Sequence, residues 1–431
     1  MKLRPYPAYH ATGVSWLGAI PSGWRVERLK YAAPAFNEKV DARSVDLQYL
    51  GMENIESGTG RYVEGEETIE SDGLASHYHA GDVLFGKLRP YLAKALLASS
   101  EGVCSSELLV LKARSVAPKY LFYYVLSDGF IKEVDSSTYG SKMPRANWNF
   151  VGNLPVPVAN KSEQTSIFNF LDHETAKLDT LMAKQERLIE LLQEKRQAVI
   201  SRAVTNGLDP KAQLKDSGVE WLGEVPAHWN VRRIASISTK ITNGYVGPTR
   251  DILVTDGVRY LQSLHIKGNR VRFDEPYFVT AEWSNEHRKS ILDPGDVLIV
   301  QTGDIGQVAV VTEDFAGCNC HALIIVSPRR TVILGEWLSW VLNSTYGFHS
   351  LLAIQTGALH PHLNCGNVRD VNVPIPPLQE QRKIVEFIRT ENERFDELIK
   401  KVSRSIDLMR EHRSALISAA VTGKIDVREA A

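Results

Sequence analysis

Trp16-Leu17-Gly18-Ala19-Ile20-Pro21, followed by Trp24, returns as Trp221-Leu222-Gly223-Glu224-Val225-Pro226, followed by Trp229. Working outward, more of the chain returns in the same order. Gly81-Asp82-Val83-Leu84 reappears as Gly295-Asp296-Val297-Leu298. Leu154-Pro155-Val156-Pro157 with Glu163-Gln164 reappears as Val371-Asn372-Val373-Pro374 with Glu380-Gln381. The offset drifts only from 205 to 217 residues. A period this long is a duplicated domain with its connector, not a solenoid repeat of 20–50 residues. Two similar modules imply two similar binding events.

Each unit has two textures. The first part, from about Trp24 to Val158 in unit one, is rich in Gly and β-branched residues. Short apolar runs such as Asp82-Val83-Leu84-Phe85 and Leu108-Leu109-Val110-Leu111 read as strands, and recur as Val297–Val300 and Leu323–Val326. Tyr120–Leu126 and Trp337–Leu342 read as short helices. The second part, from Ser162 to about Val204 and from Glu380 to about Val421, contains neither Pro nor Gly. Apolar residues recur there at helical spacing. One seven-residue series holds Leu171, Leu178, Leu192 and Val199, with Gln185 as its polar member; its second copy holds Ile388, Phe395, Val402, Met409 and Leu416. Helices of about 40 residues span roughly 60 Å. A stripe that long is expected to pack against its own duplicate, and its width leaves room for helices of a partner.

The expected fold is α+β: two similar strand-rich domains with short helices, joined by two long antiparallel coiled-coil-like helices in an internal pseudo-twofold repeat. The expected segments are 1–23 (N-terminal), 24–158 (domain 1), 159–206 (central helix), 207–226 (linker), 227–377 (domain 2), 378–424 (C-terminal helix) and 425–431 (tail).

The 43% hydrophobic and 23% charged residues are those of an ordinary soluble globular protein. A nucleic-acid binder with a net charge of −1 must gather its positive charge on one surface. No stretch of 18 apolar residues suggests a membrane span, and no apolar signal core follows Met1, so a cytoplasmic location is expected. Cys104, Cys318, Cys320 and Cys365 have no framework spacing and suit a reducing compartment.

Catalytic signatures are missing. The chain has no phosphate loop and no dinucleotide fingerprint; Gly303-Asp304-Ile305-Gly306 holds too few glycines. It has no Asn/Asp-Pro-Pro-aromatic tetrapeptide of an amino-methyltransferase, and Gly86-Lys87 fits no nuclease carboxylate–lysine cluster. Cys318-x-Cys320-His321 and His360-x-His362-x-x-Cys365 match no standard zinc spacing, and unit one holds Cys104, Ser106 and Glu107, and Met143, Arg145 and Trp148, in their places. No metal, cofactor or catalytic residue is expected.

Binding residues remain. Lys87, Arg89, Tyr91 and Lys94 follow a strand, and Lys142, Arg145 and Asn147 lie in a later loop beside Trp148. The corresponding places in unit two hold Gln301 and Thr302, then Gln355, His360, His362 and Asn364. Lys and Arg neutralise phosphates, whereas Arg, Asn and Gln read base edges through paired hydrogen bonds. A shared frame with divergent polar residues is what two readers of different DNA sequences would carry; the bland alternative is a set of solvated loops.

The doubled Trp-Leu-Gly-x-Ile/Val-Pro-x-x-Trp entry, the Gly-Asp-Val-Leu strands, the Pro and Gln-Glu-Gln lead into a long helix (Pro374 to Gln381), and the ending Leu416 to Asp426 resemble a specificity subunit of a type I restriction-modification system. Unit one carries the weaker third mark, Asn160 to Gln164. The resemblance covers the whole length. It implies two target-recognition domains, each reading half of a split site on double-stranded DNA, with the helices as a ruler. It also implies two methyltransferase subunits as partners, two ATP-dependent restriction or translocase subunits that can join, and no catalysis in this chain. The competing reading is a helix-mediated scaffold whose domains bind protein.

Overall fold

A computed structural model describes residues 4–36, 38–65, 73–140, 142–357 and 361–429. The chain divides into two compact units: residues 1–186 with 403–431, and residues 187–402. Each unit therefore holds one strand-rich domain, part of the helix Lys161–Asn206 and part of the helix Leu378–Val421. Both helices are uninterrupted and run from one unit into the other.

The first domain is built on the strand Val83–Gly86, which pairs antiparallel with Leu108–Leu111 on one side and Ala95–Leu97 on the other. Ala35–Phe36 completes the four-stranded sheet. The central strand is apolar without a break because both its faces are covered. Val83 and Phe85 point into the larger core, with Tyr120, Tyr124 and Phe130, while Leu84 points into a smaller one with Leu50, Ile55 and Tyr78. A second sheet runs Lys39–Asp41, Leu74–Tyr78, Gly102–Cys104, Tyr49–Leu50, its last pair parallel.

The second domain repeats this plan. Val297–Val300 lies between Leu323–Pro328 and Val308–Val310, with Ser238–Asn243 beyond. Val297 and Ile299 face one core, Leu298 and Val300 another. The parallel pair recurs as Val258–Leu261 with Asn319–Cys320. The short helices fall where the pattern places them, at Pro118–Val125 and Gly335–Asn343. Each Trp-Leu-Gly motif sits in a hairpin, Tyr9–Ala11 with Ala19–Pro21 and Leu214–Asp216 with Glu224–Pro226. Trp24 and Trp229 are buried; Trp221 is exposed.

The long helices depart in one respect from a free-standing pair. Their ends are core elements of the domains. Ile167, Phe170 and Leu171, with Ile417, Ala420 and Val421, join the core of unit one; Ile200, Ala203 and Val204, with Ile384, Val385 and Ile388, join that of unit two. Of the nine seam positions, Leu171, Ile388 and Phe395 are buried, and Leu178, Leu192, Val199, Val402, Met409 and Leu416 are half-buried. Within unit one the two helix segments run antiparallel, as Asp179 with Arg413 and Glu186 with Arg410 show; in unit two Arg196 meets Asp396. Gly207 and Gly423 end the helices at φ +75° and +70°, and a Cβ on Gly423 would sit 2.3 Å from Pro21. That position admits no side chain.

Gln164 and Gln381 explain the glutamine of the helix lead. Both are buried. Gln164 Oε1 accepts from Ala117 N at 2.7 Å while its amide donates to Ala159 O. Gln381 Oε1 accepts from Leu334 N at 2.9 Å and its amide donates to Val332 O and Pro376 O. In each copy one amide locks the first helical turn to the domain. Tyr120 Oη donates to Pro157 O, and Trp337 Nε1, its counterpart, donates to Pro374 O.

Candidate nucleic-acid interface

In unit one the strand Val83–Gly86 leads into Lys87, whose backbone carbonyl accepts from Ala146 N at 2.9 Å. The chain then turns tightly. Arg89 and Ala93 flank a single turn of Pro90–Leu92, both in the left-handed region at φ 49° and 47°. This conformation is costly for residues with a Cβ, and such outliers concentrate at functional surfaces. Arg89 N donates to Pro144 O at 2.7 Å, which joins this turn to the second predicted loop. That loop is a hairpin tip. Tyr139 and Arg145 pair backbone to backbone, and Gly140 opens the tip at φ 94°. The two stretches, 55 residues apart, form one surface.

Unit two builds the same frame. The strand Val297–Val300 leads into Gln301, whose carbonyl accepts from Leu363 N at 3.0 Å. Thr356 and His362 pair as Tyr139 and Arg145 do, and Gly357 also has φ 94°. Lys87 with Ala146 and Gln301 with Leu363 are thus equivalent junctions.

The candidate side chains sort into two groups. Arg89, Lys142 and Thr302 are exposed, and Tyr91 is 54% exposed. Lys87, Gln301 and Gln355 are half-buried. The Gln301 Oε1 atom is buried without a hydrogen-bond partner among the described residues. These groups have capacity to spare. Others are engaged inside the fold. Lys94 Nζ donates to Met52 O at 2.6 Å, and burial lowers its pKa. Arg145 forks onto Glu107, with Nη2 at 2.8 Å and Nε at 3.1 Å from its oxygens. Asn147 and Asn364 are equivalent helix caps; each side chain accepts a backbone N–H at 2.8 Å, from Asn149 and Asn367. His362 Nε2 lies 3.2 Å from Thr356 Oγ1. His360 lies outside the described residues.

The cysteines pack. Cys104, Cys318 and Cys320 are buried and Cys365 is half-buried. Burial pushes the thiols of Cys318, Cys320 and Cys365 up, which disfavours the thiolate that a metal requires.

Sequence reasoning missed two features. Tyr139 and Met143, at the hairpin tip of unit one, are 63% and 51% exposed. The flanking Gly140 and Pro144 were the available signal. In unit two a cavity of about 520 Å³ is lined by Arg196, Arg270, Arg272, Arg389, Asn392 and Trp340, among others. Arg196 Nε and Asn392 Nδ2 are buried there without a partner among the described residues. These arginines are scattered in sequence and meet only in the fold.

A duplicated α+β domain, each copy presenting a matched loop pair with different polar side chains, defines a two-part recognition protein. Comparisons place it further. Residues 226–407 match the family described as the type I restriction modification DNA specificity domain. The type I restriction enzyme MjaVIII specificity subunit of Methanocaldococcus jannaschii is 21% identical over 95% of this chain and 94% of its own. The EcoBI specificity subunit of Escherichia coli is 22% identical over 71% and 66%. A chain from a solved type I R-M system complex superposes with a TM-score of 0.72 at 20% identity, covering 93% of this chain and 98% of that one. The HsdS subunit from Thermoanaerobacter tengcongensis gives 0.52 at 20% identity, over 94% and 98%. Residues 226–407 carry the match to the specificity-domain family, and the fold of the chain as a whole is similar to that of the solved type I R-M chain and of the HsdS subunit.

Proposed function

We propose that this chain is the sequence-specific DNA-recognition subunit of a type I restriction-modification complex. Each domain reads one half of a bipartite, asymmetric site, and the helix pair sets the unread gap. The observation that carries this reading is the loop pair. Its backbone junctions are the same in both domains, while one copy carries Lys87, Arg89 and Lys142 on these loops and the other carries Gln301, Thr302 and Gln355. Equal frames with unequal hydrogen-bonding groups suit two different half-sites. Arg89, Lys142, Gln301 and Thr302 are the first candidates for contact; Lys94, Asn147 and Asn364 hold the loops in shape.

The chain does no chemistry in this reading. Two methyltransferase subunits dock on the helices, and two ATP-dependent restriction subunits join them, in the cytoplasm. Exposed apolar side chains on the helices support docking: Leu181 and Leu408 in unit one, and Leu188, Leu191, Phe387 and Leu398 in unit two. Among the described residues no helix is long and apolar enough to cross a membrane. A footprint of the assembled complex tests the proposal. Two protected blocks separated by a fixed gap are expected; protection of neither would return the scaffold reading.

A further inference from the structure

The second sheet of unit one brings three metal-binding side chains to one point, away from the loop pair. His77 and His79 lie two residues apart at the end of the strand Leu74–Tyr78, so both project from the same face. The register pairs Tyr78 with Gly102 and Ser76 with Lys39. Continued by one residue, it sets Glu101 opposite His79 and Glu38 opposite His77. The side chains follow: His77 Nε2 lies 2.8 Å from Glu101 Oε1, and His79 Nε2 lies 3.9 Å from the same oxygen. One donor atom from each of the three residues falls within 4.8 Å of the others.

We propose that His77, His79 and Glu101 bind a divalent transition-metal ion, with zinc as the fitting case. Two imidazoles and one carboxylate are a standard donor set for zinc, with water as fourth ligand. Around such an ion donors lie roughly 3.3 Å apart, given bonds of about 2.0–2.1 Å. The 2.8 Å contact must open by about half an ångström, the 3.9 Å contact close by a similar amount, and the two imidazole donors, within 4.8 Å of each other, close by up to about 1.5 Å, which side-chain rotation supplies. The outer contacts favour the same assignment. His77 Nδ1 faces Glu38 Oε2 at 3.7 Å, and His79 Nδ1 faces Asp82 Oδ2 at 3.9 Å. Each imidazole thus turns one nitrogen to the shared centre and the other to a carboxylate, as metal-bound histidines do. His77 Nδ1 is buried without a hydrogen-bond partner among the described residues, while the ring is held through the 2.8 Å hydrogen bond between Nε2 and Glu101. The corresponding sheet of unit two has three strands rather than four, so no copy of the site is required there. The ion would clip two neighbouring strands together in domain 1 only.

The test uses the full-length chain, stripped with chelator and titrated with Co²⁺ and with Zn²⁺. One equivalent of Co²⁺ should give visible bands of a four-coordinate nitrogen–oxygen site without thiolate charge transfer, and Zn²⁺ should raise Tm. His79→Ala and Glu101→Ala should weaken binding at least a hundredfold, and Glu38→Gln about 10–100-fold. His79 is exposed, so its variant should keep the metal-free Tm and separate loss of the site from loss of fold. Thiolate bands, unchanged binding in His77→Ala/His79→Ala, or affinity no tighter than millimolar in the wild-type chain would each overturn the proposal.

Discussion

Arg413 Nε lies 3.0 Å from Asp179 Oδ1, joining the second long helix to the first inside unit one. The same guanidinium donates to Gly58 O at 2.7 Å and reaches Thr59 O at 3.4 Å, so one side chain ties both helices to a loop of the domain. The relationship recurs one repeat away: Arg196 Nη2 lies 2.6 Å from Asp396 Oδ1 in unit two. The two pairs are the same positions 217 residues apart, with the helices exchanged.

The pairs differ in burial, and so in expected worth. The side chains of Arg413 and Asp179 are 7% and 15% exposed, against 26% and 57% for Arg196 and Asp396. Arg413→Ala leaves Asp179 with only the longer 3.6 Å contact to Arg61 and removes the donor from two carbonyls, and should cost about 3 kcal/mol. Arg196→Ala breaks a solvent-screened pair and should cost about 1 kcal/mol or less. Urea unfolding of the two variants beside the wild-type chain checks the ratio.

Gln381→Leu removes three hydrogen bonds at the start of the second long helix while keeping its bulk. It should destabilise unit two by about 1–3 kcal/mol, since Leu334 N, Val332 O and Pro376 O lose their partner. Thermal unfolding reads the loss, and Gln381→Glu should restore at most the bond from Leu334.

The carboxyl of Asp296 is buried, and burial holds its pKa above the ordinary 3.8. The folded chain then binds this proton more tightly than the unfolded chain. The group's contribution to stability is greatest below pH 3.8 and is lost as pH rises through the folded value. Asp296→Asn keeps an acceptor for Asp293 N and should flatten that fall. Chemical denaturation across the acidic range measures it.

On the DNA side, Arg89→Ala and Lys142→Ala should weaken binding at one half-site only. If either contacts phosphate, the salt slope drops by about 1. Lys94→Ala should lower stability instead, because its ammonium is spent on Met52 O. Gel-shift titrations with each half-site altered in turn distinguish these outcomes.

Much of this was legible in the sequence, for identifiable reasons. The Val83–Phe85 and Val297–Val300 strands and both long helices are long apolar patterns whose period decides them. The loop pairs were visible because the copies diverge there. The roles of single residues were not. Asn147 and Asn364 looked like readers, yet their agreement between copies reflects a capping task. Lys94 and Arg145 looked like free cations, but Met52 and Glu107, distant in sequence, take them up. The helix stripe suggested a partner helix throughout, whereas both ends of each helix enter a domain core.

The ruler can be lengthened by just over one helical turn by inserting four residues after both Gln185 and Val402, equivalent positions at the boundary between the units. This adds about 6 Å of helix. The gap should grow by one to two base pairs, at about 3.4 Å each, with both half-sites unchanged. An altered half-site with the old gap would contradict the ruler.

The central claim, that each domain reads its own half of one split site, is tested most directly by mapping methylated adenines in cells whose methyltransferase carries this chain, with and without Arg89→Ala. The account predicts one bipartite, asymmetric motif with a fixed gap, and relaxation of a single half in the variant. A continuous motif, or equal loss at both halves, would contradict it.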